Sequence, residues 1–101
     1  MISAEITIIP IGTGETSLSD YVAAAVAAIK EKGVKYKISG LGTILESDNP
    51  QEIFDAVQAA HEAVFLKGSN RVATNIIIDD RRDADKTYNE KISSVKEKIG
   101  E

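Results

Sequence analysis

The spacing of apolar residues along this chain switches between a period of two and a period near ~3.6 in a fixed order, and that order constrains the fold more than any other feature. Residues 2–9 alternate, with Ile2, Ala4, Ile6 and Ile8 on one face and Ser3, Glu5, Thr7 and Ile9 on the other. This reads as a strand with one buried face. Pro10 closes it, and Gly12 and Gly14 mark a loop. Leu18, Val22, Ala25, Val26 and Ile29 then recur at helical spacing. Ser17 is the predicted N-cap of that helix, Asp20 lies in its first turn and Gly33 is its stop. Val34, Tyr36 and Ile38 alternate again, Gly40-Leu41 predicts a two-residue hairpin turn, and Gly42 to Glu46 begins a third strand. Asn49-Pro50-Gln51-Glu52 predicts a helix start, followed by a stripe of Ile53, Val57, Ala60 and Val64 that runs to Gly68. Arg71 to Asp79 is a fourth strand, and Tyr88, Ile92, Val95 and Ile99 predict a short amphipathic C-terminal helix.

The order is β-α-β-β-α-β with one added helix. Each crossover is right-handed, so both long helices fall on one face of a four-stranded antiparallel sheet. The expected class is α+β, a ferredoxin-like sandwich, and 101 residues suit one domain over 1–101. The sheet face without helices carries Ser3, Glu5, Thr7 and Ile9 from the first strand and Ala73, Asn75, Ile77 and Asp79 from the fourth. That mixture is too apolar for water alone, so a second copy, the C-terminal helix, or both should cover part of it.

Composition narrows the function. The formal net charge is −4, and the one Lys-rich stretch, Lys30 to Lys37, is broken by Glu31. This argues against a nucleic-acid partner. There is no Cys and one His, which removes thiol chemistry and argues against a transition-metal site; no cofactor is expected. The N-terminal residues lack the basic and apolar regions of a signal peptide, and no apolar run is long enough to span a membrane. The expected location is the cytoplasm.

Four places carry candidate chemistry. The loop Ile11 to Ser17 precedes a helix and could offer backbone N–H groups to an anion, but it lacks the Gly-Lys-Ser/Thr of a P-loop and the third Gly of a dinucleotide fingerprint. His61 lies at the border of a helix stripe, where a structural role fits better than catalysis. Asp79 to Asp85 places four carboxylates beside Arg81 and Arg82, a pattern of exposed ion pairs rather than a metal loop. Tyr36, Thr43 and Glu46 bring polar groups to an otherwise aliphatic hairpin. The two-residue turn puts Tyr36 and Thr43 on one sheet face and Glu46 on the other, close to the start of the second helix.

Three segments together resemble one family. Pro10-Ile11-Gly12-Thr13-Gly14 leading into Ser17-Leu18-Ser19-Asp20-Tyr21-Val22 is similar to the opening motif of the thiamine-binding protein family. Tyr36-Lys37-Ile38 with Leu41-Gly42-Thr43-Ile44-Leu45-Glu46, and Arg71-Val72-Ala73-Thr74 through Ile78-Asp79-Asp80-Arg81-Arg82-Asp83, are similar to its later motifs. The resemblance implies a ferredoxin-like fold, assembly as a dimer of dimers through the sheets, and binding of thiamine or its hydroxymethylpyrimidine part without catalysis. It implies that Tyr36, Thr43 and Glu46 contribute to the pocket, with Ser17 and Ser19 as further candidates. Ser47 departs from the family, where Gly is common. Independently of the resemblance, Glu46 or Asp79 could pair with a thiazolium cation, and Thr43 or Asn75 could bond an aminopyrimidine. Two other readings of the fold fit less well. An acylphosphatase-like hydrolase wants an Arg in the loop at 10–17, which has none, and an RNA-binding module wants aromatics on strands 2–9 and 42–46, which have none.

Overall fold

The computed structural model describes residues 1–101. Its elements are β1 (Ile2–Pro10), α1 (Ser19–Glu31), β2 (Lys35–Ile38), β3 (Thr43–Ser47), α2 (Pro50–Lys67), β4 (Val72–Asp80) and α3 (Tyr88–Ile99). The strands form one antiparallel sheet in the order β2-β3-β1-β4, the ferredoxin-like α+β layout expected from the periodicity.

The alternation in β1 becomes its two faces. Ile2, Ala4 and Ile6 are buried against α1 and α2, together with Leu45 of β3. From the helices come Ala25 and Ile29 of α1 and Ile53, Ala56, Val57, Ala60 and Val64 of α2. Each fully buried Ile, Leu or Val contributes about 1.5–3 kcal/mol relative to exposure. The buried alanines keep side-chain bulk low where α1 and α2 pack against each other.

The hairpin between β2 and β3 follows the expected register. Ile38 pairs with Thr43, which leaves Gly40-Leu41 as a two-residue turn. Ser39 closes it: its backbone N–H donates to the Gly42 carbonyl at 2.9 Å, and its hydroxyl donates to the same carbonyl at 2.8 Å. The Gly42 N–H donates back to Ser39 Oγ at 3.2 Å.

The two long helices start differently. Asn49 caps α2 as expected, its Oδ1 accepting the Gln51 N–H at 2.9 Å, with Pro50 at the first helical position. Ser47 accepts the Asn49 N–H and donates to the Glu52 carboxylate at 2.6 Å, so it reinforces the same start. For α1 the expectation is corrected. Ser17 is not its cap; the helix begins at Ser19, Leu18 holds the cap position, and no side chain caps it. The Ser17 hydroxyl instead lies 3.4 Å from the Ser19 hydroxyl.

The other sheet face is only partly covered. The first turn of α3 lies over it near β1 and β3, while Ile77 of β4 is 67% exposed. No residue of α3 is buried. No helix is long and apolar enough to cross a membrane.

Candidate functional site

Glu46 occupies a position that a carboxylate rarely takes without a reason. It points to the helix-free face from the central strand β3 and is 7% exposed. Its Oε1 accepts the backbone N–H of Tyr88, the first residue of α3, at 3.0 Å. This partner lies at the start of the third helix, not the second. The helix N-terminus favours the negative charge. The other oxygen, Oε2, has no hydrogen bond. The Lys35 ammonium lies 3.5 Å from it, but that side chain is 68% exposed and too distant for a well-formed hydrogen bond. A buried charge with an open acceptor is costly unless something completes it.

Ser3 is the second open group. It pairs directly with Glu46 across β1 and β3, is also buried, and its Oγ has no hydrogen-bond partner. Beside it lies a cavity of about 230 Å³ walled by Ser3, Glu5, Ile44, Ile77, Asp79 and Tyr88. On the other side of Tyr88 a narrow cleft of about 40 Å³ reaches Glu46 between Lys35 and Lys37. The Lys37 ammonium sits 5.5 Å from the centre of the Tyr88 ring, and Lys91 of α3 forms an ion pair with Asp79 of β4. Glu46 itself lies on the narrow cleft, flanked by Lys35 and Lys37, while Ser3, Glu5 and Asp79 line the larger cavity, and Ile44 and Tyr88 border both.

The other candidates fall elsewhere. Tyr36 and Thr43 lie on the helix face, Tyr36 against the core and Thr43 buried beside Ile6 and Ile8. Thr43 lines a separate cavity of about 130 Å³ between α1 and the hairpin, with Val22, Ala25 and Ile29. The sheet therefore separates Thr43 from Glu46 within one chain. Asn75 is exposed on the helix-free face opposite Thr7, four residues along β4 from Asp79, roughly 13 Å at strand rise. Ser17 and Ser19 are exposed beyond the far end of β1.

The remaining motifs form local structure. His61 Nδ1 and Thr74 Oγ1 are 2.6 Å apart, joining α2 to β4, and the Phe65 ring stands edge-on to the imidazole. Arg81 pairs with Asp83 and Arg82 with Asp80, all at the surface. The arginine hydrogen bonds hold both carboxyls below the usual carboxylate range. These residues border the largest cleft, about 650 Å³, in which the Met1 amine bridges Asp48 and Asp85. No three His, Asp or Glu side chains are grouped so as to hold a metal ion.

A family model described as thiamine-binding protein matches residues 4–96. The chain belongs to that family. Among its relatives is a UPF0045 protein of Methanothermobacter thermautotrophicus, 60% identical over 99 residues that cover 98% of this chain and all of that one. A hypothetical protein of Methanocaldococcus jannaschii has a closely similar crystal structure, with a TM-score of 0.85 at 35% identity over 95% of this chain and 96% of that one. The fold is also that of a Thermotoga maritima protein assigned provisionally to thiamine biosynthesis or salvage, with a TM-score of 0.76 at 22% identity over 93% and 97% of the two chains.

The sequence singles out Glu46 as a candidate, and the structure places Ser3 and Tyr88 beside it. Sequence reading did not single out either. Ser3 carried a usable signal, since it is a small polar residue on the same face and strand as Glu5 and Thr7. Tyr88 carried none for this role, because it reads as one member of an apolar helix stripe.

Proposed function

We propose that this chain binds thiamine, or the aminopyrimidine half of it, reversibly and without catalysis, at Glu46 on the helix-free face of the sheet. The observation that carries the reading is that Glu46 Oε2 and the Ser3 hydroxyl, both buried, have no hydrogen-bond partner, the Lys35 ammonium lying 3.5 Å from Oε2. An aminopyrimidine complements this pair: its amino N–H donates to Oε2, and a ring nitrogen accepts from the Ser3 hydroxyl. Such a bond to a carboxylate is worth about 1.5–3 kcal/mol. The thiazolium nitrogen of thiamine carries no N–H, so it is suited to the acidic rim at Glu5 and Asp79 rather than to Oε2. The cavity of about 230 Å³ favours a single substituted ring, since pockets for larger ligands run to roughly 300–1,000 Å³. In this reading Tyr88 supplies a wall, and Thr43 and Tyr36 support β3 from the helix side. We further propose that the protein is a homo-oligomer, a dimer of dimers, joined through its sheets.

Calorimetric titration with thiamine and with hydroxymethylpyrimidine tests the assignment. Both should bind, and Glu46→Gln should weaken binding roughly ten- to a hundredfold while circular dichroism stays unchanged. The ligand should be recovered chemically intact. Absence of heat with either compound at millimolar concentration refutes the ligand. Unchanged affinity in Glu46→Gln with loss in Thr43→Val moves the site to the cavity between α1 and the hairpin.

A further inference from the structure

We infer that the cavity between α1 and the β2–β3 hairpin is a second binding site, for a neutral molecule of about six heavy atoms that carries one hydroxyl or carbonyl group. It lies on the helix side of the sheet, away from Glu46, and does not depend on the reading given to that residue. The space is left where α1 presents a small side chain to the sheet. Ala25 and Ile29 are both buried on one stripe of the helix, and Ala25 brings only a methyl group to it. Ile6 and Ile8 of β1 lie beneath them, and Val22, three residues before Ala25, borders the same space with 41% exposure. About 130 Å³ stays open among these side chains.

Two features of the walls define what fits. No charged side chain lines this cavity, unlike the clefts beside Glu46, Asp79 and Arg81. An ion entering it would lose its hydration with nothing to replace it, so a thiazolium, an ammonium or a phosphate is excluded. The second feature is Thr43. Its side chain is 6% exposed and shares the helix face with Ile6 and Ile8. Three hydroxyl-bearing residues border the cavity. Thr7 and Ser39 donate to the Leu41 and Gly42 carbonyls, and only the Thr43 hydroxyl has no partner in the chain.

Water completes such a group poorly. An enclosed water needs about two to four polar partners, and the cavity offers one free hydroxyl in aliphatic surroundings. A valine would fill the same space without the cost of an unpaired hydroxyl. Thr43 is therefore half of a hydrogen bond whose other half comes from outside the chain. Size follows from the volume. A dry apolar cavity of roughly 150 Å³ takes a benzene-sized molecule, so this one suits a ring of about five or six atoms. The ring packs against Ile6, Ile8 and Ile29, and its hydroxyl or carbonyl meets Thr43 Oγ1. Entry runs past Val22 and the exposed Leu41 at the tip of the turn.

Methyl-resolved NMR on the intact chain tests this with two probes of one shape, cyclopentanol and the cyclopentylammonium ion. Cyclopentanol at millimolar concentration should shift the methyl signals of Ile6, Ile8, Val22 and Ile29 saturably, and the ammonium should not. Thr43→Val should weaken binding of the alcohol roughly two- to tenfold, the range of a neutral hydrogen bond. Its urea midpoint should stay equal or rise, because no buried hydroxyl is left unpaired. Val22→Phe closes the cavity from a half-exposed position, so it should abolish the shifts while circular dichroism stays unchanged. Glu46→Gln should bind the alcohol as the wild type does, whatever it does to a pyrimidine, which keeps the two sites distinguishable. Absence of a saturable shift in the wild type overturns the site. So does an ammonium that binds as tightly as the alcohol, or a Thr43→Val variant that binds the alcohol unchanged. Loss of the alcohol in Glu46→Gln would put it on the other face of the sheet and overturns the site as well.

Discussion

Gly42 is fixed by distance rather than by backbone angle. A Cβ added there would lie 3.1 Å from the Ile6 carbonyl oxygen and 3.2 Å from Thr7 Oγ1. The carbonyl belongs to the central strand and has no room to retreat, and Thr7 is itself bonded to the Leu41 carbonyl at 3.3 Å. Gly42→Ala should therefore destabilise the fold by about 1–3 kcal/mol, the usual cost of forcing atoms into a packed site. Urea unfolding measures it, and an unchanged midpoint would refute the steric account. The same residue scale marks where the sequence was legible. A two-residue turn at Gly40-Leu41 fixes which side chains share a face, so Glu46 could be assigned to the side opposite Tyr36 and Thr43 from spacing alone. Its burial could not, because the group that covers it is a backbone N–H 42 residues away, whose position depends on the path of the segment after β4.

Helix starts show the same boundary at the scale of elements. Asn49-Pro50-Gln51-Glu52 was readable because three local preferences agree; Asn49 caps and Pro50 opens the helix as expected, while Glu52 accepts from the Ser47 hydroxyl rather than from the Asn49 N–H. At α1 Asp20 does lie in the first turn, but Ser17 as its cap was not decisive. The Leu18 carbonyl accepts from Tyr21 and Val22, which places the helix start one residue later. The two positions should respond differently to the same change. Asn49→Ala should cost about 1 kcal/mol, the typical loss of a cap. Ser17→Ala should stay within about 0.5 kcal/mol of the wild type, as for an exposed residue whose one side-chain bond is a long surface contact to Ser19. Thermal unfolding of the pair compares them directly; an equal loss in both would mean that the loop before α1 does more than the bonds at Leu18 indicate. The third helix was legible as a helix, from the spacing of Tyr88, Ile92, Val95 and Ile99, but not in how it attaches. Its apolar stripe suggested burial, whereas its attachments are one backbone N–H, one ion pair and one cation over a ring.

At the scale of the molecule, the two edges of the sheet are not alike. Strand β2 is four residues long and carries Lys35 and Lys37, a short and charged edge of the kind that resists pairing with another chain. Strand β4 is nine residues long, contains neither Pro nor Lys, and exposes Ile76, Ile77 and Ile78. A long apolar edge of this type is a pairing surface unless it is covered, and within one chain only the Lys91–Asp79 contact reaches it from α3. The exposed Val95 and Ile99 of α3 add apolar area that one copy leaves open. A stable contact between copies needs on the order of 1,200–2,000 Å² of buried surface in total, which a nine-residue strand supplies only together with neighbouring elements such as α3. The predicted association therefore runs along β4. Light scattering coupled to size exclusion at micromolar concentration should give a mass several times the 10.9 kDa of one chain. Ile77→Lys places a charge on a side chain that is 67% exposed in the single chain, so the fold should survive while the mass falls toward that of one copy. A wild-type mass of one chain would refute the association. A mass unchanged by Ile77→Lys would place the contact away from β4 and leave this edge to be explained by something else.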